Sequence, residues 1–116
     1  MPPANPKTST QRIRERIDRI RGALNRLDYL CSGTLLQRTK TCGNPGCRCA
    51  DPTQRHGPYY EWTHRKAGKL AHRTLSPPQA QAMRTAIANF RKVQKLLRHW
   101  ETETERLIDA EFPRQP

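Results

Sequence analysis

Thr41-Cys42-Gly43-Asn44-Pro45-Gly46-Cys47-Arg48-Cys49, followed after six residues by His56-Gly57-Pro58-Tyr59-Tyr60, is the stretch on which the reading of this chain turns. Three of the four cysteines fall within eight positions, and a histidine follows seven positions after the last of them. The spacing is Cys-x4-Cys-x-Cys-x6-His. Structural zinc takes four thiolate or imidazole ligands in a tetrahedron, and Cys3His is one of its ordinary sets. Cys42, Cys47, Cys49 and His56 are therefore read as the ligands of a structural Zn2+, with Gly43, Pro45 and Gly46 permitting the sharp bends that four convergent ligands need. Cys31, His64 and His72 are the possible substitutes for His56. Cys31 reads better as a small buried apolar residue. His64 and His72 read as surface or nucleic-acid contacts, and His99 as a solvated helix residue. A redox or catalytic role for Cys47 or Cys49 would need a base that the sequence does not place beside either.

On the N-terminal side of this loop, residues 1–7 form a Pro-rich polar tail, and Thr8 with Gln11 supplies a capping box for a helix over 8–31. Ile13, Ile17, Ile20, Leu24, Leu27 and Cys31 recur at spacings of 4, 3, 4, 3 and 4, a heptad seam. Thr34 to Thr39 reads as a short strand. Beyond the loop, Tyr59 to His64 and Lys69 to Leu75 read as two strands joined through Arg65-Lys66-Ala67-Gly68, with Tyr60, Trp62 and His64 on one face and Tyr59, Glu61 and Thr63 on the other. Ser76-Pro77-Pro78-Gln79 starts a long helix over 76–110, in which Met83, Ala86, Phe90, Val93, Leu97, Trp100, Thr104 and Leu107 form a second heptad seam. Residues 113–116 are a tail. The expected fold is α+β: one domain over 8–112, an antiparallel two-helix, coiled-coil-like stalk with a three-stranded antiparallel zinc/β tip over 34–75. The acidic end of the second helix then lies beside the Arg-rich start of the first. Apolar residues near Leu107 and Ile108 are left for a second copy or a partner protein to cover.

Composition restricts the function classes. With 34% hydrophobic residues and 10 prolines in 116, a metal staple is a useful supplement to a small core. Lys and Arg number 22 against 10 Asp and Glu, for a net charge of +12, and residues 1–75 carry +10 of it. Such a field favours polyanions. No run approaches the ~18 apolar residues of a membrane span, and the N-terminus lacks a secretory signal, so the expected location is the cytoplasm, where clustered cysteines bind metal rather than pair. Paired acids, a Ser-His-Asp set and a phosphate-cradling glycine loop are all missing from the sequence, and catalysis is not expected.

Arg38, Lys40, Arg48, Arg55, Arg65, Lys66, Lys69 and Arg73 surround the cysteine loop, interleaved with Tyr59, Tyr60 and Trp62. Cations neutralise phosphates and aromatic faces stack on unpaired bases, so this surface is read as a site for DNA or RNA, with Tyr59 and Tyr60 among its contacts.

The run Cys42-Gly43-Asn44-Pro45-Gly46-Cys47-Arg48-Cys49, with His56-Gly57-Pro58-Tyr59 and Ala86-Ile87-Ala88-Asn89-Phe90, resembles a family of small prokaryotic proteins that read C-G-x-P-G-C-x-C, H-G-P-Y and A-I-A-N-[FY]. The resemblance covers about residues 30–100 of the 116. It implies a shared architecture and mobile-element neighbourhoods, for a domain of unknown function; no catalytic residue follows from it. The expected function is that of a zinc-stabilised nucleic-acid-binding accessory protein, in a mobile-element or phage nucleoprotein. The alternatives are a helical interaction or oligomerisation module and, more remotely, a thiol redox sensor.

Overall fold

A computed structural model describes residues 6–114; residues 1–5 and 115–116 of the two expected tails lie outside the described residues. The elements are α1 (Ser9–Asn25), β1 (Thr34–Lys40), two short 3-10 turns (Arg48–Ala50 and Pro52–Gln54), β2 (His56–Lys66), β3 (Lys69–Leu75) and α2 (Pro77–Glu111). The fold class is α+β. The chain divides into two compact units, one of Met1–Asp28 with Arg91–Pro116 and one of Tyr29–Phe90. Among the described residues, no helix is long and apolar enough to cross a membrane.

In the first unit, Thr8 and Gln11 form the expected capping box, each side chain meeting the other's backbone N–H. Ile13 and Ile20 are buried. The helix stops at Asn25, short of the expected residue 31, so Leu27 and Cys31 leave the seam. Within this unit Arg14 bonds Glu111 and Arg16 bonds Glu103, an order that runs the two helical segments antiparallel. Ile20 shares a groove with Leu96 and His99. Of the expected seam in this segment, Val93, Trp100, Thr104 and Leu107 are half-buried; Leu97 is exposed, and Leu96, half-buried, and Glu103, buried, join the contact face.

In the second unit the three strands form an antiparallel sheet in the order β1-β2-β3. The β2–β3 turn is narrower than the four residues expected, with only Ala67 and Gly68 outside the strands, at φ 53° and 78°. Two positive φ values in a two-residue turn are what a hairpin twisted in the strands' sense requires. Trp62 and His64 stack at 3.7 Å between ring centroids, which places them on one face as alternation predicts. Trp62 Nε1 donates to the Ser32 carbonyl at 3.0 Å, and a Cβ on Gly33 would come within 2.6 Å of that same nitrogen. Tyr60 lies opposite Leu75, and the Arg84 guanidinium of α2 sits 5.5 Å from the Tyr60 ring centre, so this face of the sheet meets the first turns of α2. Ser76 and Gln79 cap that helix reciprocally. Two bonds to α2 hold residues 29–31 out of the helix expected there: Cys31 N–H donates to Ala86 O at 3.2 Å, and the Asn89 side-chain Nδ2 donates to Tyr29 O at 2.8 Å. Captured by α2, residues 29–31 cannot continue a helix.

Candidate metal centre

The loop between β1 and β2 is a succession of tight turns built by short side chains. Asn44 accepts from Gly46 N–H through its side chain at 3.1 Å and from Cys47 N–H through its carbonyl at 3.0 Å. Asp51 accepts from the Thr53 N–H and hydroxyl, both at 2.9 Å, which lowers its carboxyl pKa. These Asx turns reverse the chain twice within a dozen residues. Asn44-Pro45-Gly46 and Asp51-Pro52-Thr53 are the sequence signals for them.

The second positioning device is a bulge. Arg38 pairs with Tyr59 and Lys40 with His56, so two residues of β1 span three of β2, and the extra residue falls at Gly57-Pro58, whose peptide is cis. Simple alternation would place His56 on the Tyr60 face. The bulge moves it to the face of Arg38, Lys40 and Tyr59, and it also accommodates a proline that cannot donate to the ladder. Gly57 has φ 119°, and a Cβ there would lie 2.9 Å from the Arg38 carbonyl oxygen.

These turns bring the thiols of Cys42, Cys47 and Cys49 and the imidazole of His56 together, all ligand atoms lying within 4.8 Å of one another. Cys42 Sγ is 3.3 Å from Cys49 Sγ, and Cys47 Sγ is 3.3 Å from His56 Nε2. Ligands at about 2.3 Å (sulfur) and 2.1 Å (nitrogen) from one ion span tetrahedral edges of about 3.6–3.8 Å, so the four groups fit a single tetrahedral metal ion. Cys49 is 1% exposed and forms the inner wall, whereas Cys42 and His56 face solvent. Hydrogen bonding at Asn44 above all, then His56 and the neighbouring thiols, lowers the Cys42 pKa to about 6. Cys49 accepts the Cys42 N–H at 3.1 Å, which acts to lower its pKa, but burial and the two neighbouring thiols outweigh this and raise it. One easily ionised thiol backed by a buried one suits a cation in their midst.

The three substitute ligands are occupied elsewhere. Cys31 is half-buried beside Tyr29, Leu75 and Met83; His64 stacks on Trp62 with Nδ1 buried and unpartnered; His72 bonds Glu61 and Thr63 at 3.0 Å each.

The other residues singled out from sequence separate into three groups. Lys40 lies opposite His56 with its ammonium 5.5 Å from the Tyr59 ring centre, Arg38 lies opposite Tyr59, Arg48 stands between Cys47 and Cys49 and Arg55 next to His56, so these residues and Tyr59 fall at the Cys/His end of the sheet. Arg65, Lys66 and Lys69 sit at the β2–β3 turn. At ~3.3 Å per residue that is roughly 30 Å along β2 from His56. Tyr60 and Arg73 belong to the α2 side of the sheet, Tyr60 beneath Arg84 and Arg73 beside Leu75 and Met83. Glu61, half-buried, lies 3.8 Å from Arg38 and 3.0 Å from His72 and moderates that patch. A lone acid on a strand facing a cross-strand arginine was its sequence signal. The face on which His56 stands depends on the bulge and had none.

Comparison with curated proteins and with solved structures gave no match. A family profile does match, over residues 10–84, which takes in α1, the metal loop, the sheet and the first turns of α2. That span starts earlier and stops earlier than the motif resemblance, and it covers well over half of the 116 residues. The chain belongs to DUF6788, a domain of unknown function.

Proposed function

We propose that the chain binds one Zn2+ through Cys42, Cys47, Cys49 and His56 and uses the basic surface beside it to bind nucleic acid. Four protein ligands leave no open coordination position, so the ion serves to hold the loop rather than to react. The observation that carries the nucleic-acid reading is the Lys40 ammonium 5.5 Å from the centre of the exposed Tyr59 ring, with Arg38 paired opposite Tyr59 and Arg48 and Arg55 adjoining the Cys/His cluster in sequence, on a chain of net charge +12. Cations beside an accessible aromatic face suit a phosphate backbone with an unpaired base stacked on the ring. Arg65, Lys66 and Lys69 provide a second positive site for a strand long enough to reach it. In this reading the helical segments of the first unit pair as a coiled coil, and the protein is an accessory of a nucleoprotein such as that of a mobile element or phage.

Two measurements test it. Metal analysis of purified protein should give one zinc per chain, absent from Cys47→Ser; a metal-free native sample removes the first half. For the second half, binding of single-stranded DNA and RNA oligonucleotides is followed against salt. The affinity should fall steeply as salt rises, and Lys40→Glu with Arg48→Glu should flatten the log–log slope by about 1 for each phosphate that is no longer neutralised. Undetectable binding at low salt, or binding insensitive to salt, overturns the nucleic-acid reading.

A further inference from the structure

The α2 segment of the first unit has two sides. One meets α1 through Leu96 and Glu103. The other carries Leu97, 43% exposed, then a groove lined by Leu97, Trp100, Glu101, Thr104 and Glu105, then Ile108 at 52% and Phe112 at 71%. The Thr104 hydroxyl donates to the Trp100 carbonyl at 2.8 Å, so covering this stripe does not strand that hydroxyl. Charge along the same segment is ordered by sign. Arg91, Lys92, Lys95 and Arg98 occupy its first part with no acid among them, and Glu101, Glu103, Glu105, Asp109 and Glu111 occupy the remainder. Glu103 and Glu111 are taken by Arg16 and Arg14 of α1, and Arg106, the one base among the acids, by Glu103. Among the described residues, Glu101, Glu105 and Asp109 form no ion pair, and neither do the four bases.

We propose that this stripe is the interface with a second copy of the chain, α2 against α2, antiparallel about a twofold axis. A segment that is positive in its first part and negative in its last is complementary to itself only when reversed, so the antiparallel pair opposes unlike charges along its length. A parallel pair would oppose like charges throughout. The apolar stripe supplies the buried centre and the sign order supplies the orientation.

The test is the oligomeric state of nucleic-acid-free protein, by sedimentation or light scattering over a concentration series. A dimer is expected. Leu97→Asp and Ile108→Asp, both at exposed positions and checked for retained helicity by circular dichroism, should raise its dissociation constant at least about tenfold. Two charge-reversed chains complete the test. The first carries Glu101→Lys, Glu105→Lys and Asp109→Lys; the second carries Arg91→Glu, Lys95→Glu and Arg98→Glu. Each alone should be monomeric where the unaltered chain is dimeric, and an equimolar mixture should form a 1:1 heterodimer. A monomeric unaltered chain overturns the proposal. So does a dimer that survives Leu97→Asp, or one that tolerates either reversal alone, since a parallel or unrelated interface would not be weakened by them.

Discussion

Gly57 has no side chain, and a Cβ placed on it would lie 2.9 Å from both the Arg38 carbonyl oxygen and the Tyr59 nitrogen, at a φ of 119° that other residues rarely adopt. The bulge that presents His56 to the three thiols is built on this residue. Gly57→Ala should therefore cost about 1–3 kcal/mol of stability in denaturant unfolding. It should also weaken Zn2+ affinity by about tenfold or more in a chelator competition, as the loss of outer-shell support does at other metal sites. At the thiols the chemistry is asymmetric. Cys42 is exposed with a pKa lowered to about 6, so at pH 7 it is mostly thiolate in the metal-free protein and its reactivity should fall as pH drops through that value. Cys49 is buried with a raised pKa. Timed alkylation followed by mass spectrometry should modify Cys42 first and Cys49 last, and added Zn2+ should slow Cys42; equal rates at both would contradict the geometry.

Among the elements, α2 carries the contacts that sequence periodicity handled least well. Glu103 is 8% exposed and holds both Arg16 and Arg106, at 2.9 and 2.8 Å. Replacing both arginines by Met strands a buried carboxylate and should cost about 1–3 kcal/mol in urea unfolding. Glu103→Leu should cost less than about 1 kcal/mol, because Arg106 and Arg16 are exposed enough to be hydrated when released. The same residue shows what the expected seam left out. Counting apolar residues passed over Asn89 and Glu103, yet both are buried and both reach outside their own helix, to Tyr29 O and to Arg16. Local signals were legible: the two capping boxes, the strand alternation of Trp62 and His64, and the turn at Gly68 all follow from neighbours in sequence. The end of α1 was not, because Ala86 and Asn89, some 60 residues away, capture the backbone of Cys31 and Tyr29. At the candidate metal centre the four clustered residues could be read from spacing alone, whereas the face on which His56 stands depends on a register shift that no short motif encodes.

For the molecule as a whole, positive charge is concentrated in residues 1–75 and the acids gather late in α2. Those acids are of two kinds. Glu103 and Glu111 hold α1 within the unit, while Glu101, Glu105 and Asp109 remain for an external partner. The matched family span ends at residue 84, inside α2, which continues to Glu111. A boundary drawn by sequence similarity is then not a folding boundary. A polypeptide trimmed to residues 10–84 would lose Ala86 and Asn89, which anchor the segment before β1, and also Leu96, Glu103 and Glu111, against which α1 rests. A helix of 17 residues with no acid in its first turn is marginal in isolation. Limited proteolysis of that fragment should digest the α1 region promptly and spare the metal loop when Zn2+ is present. Anyone choosing where to cut this protein for expression should carry the end point past Glu111.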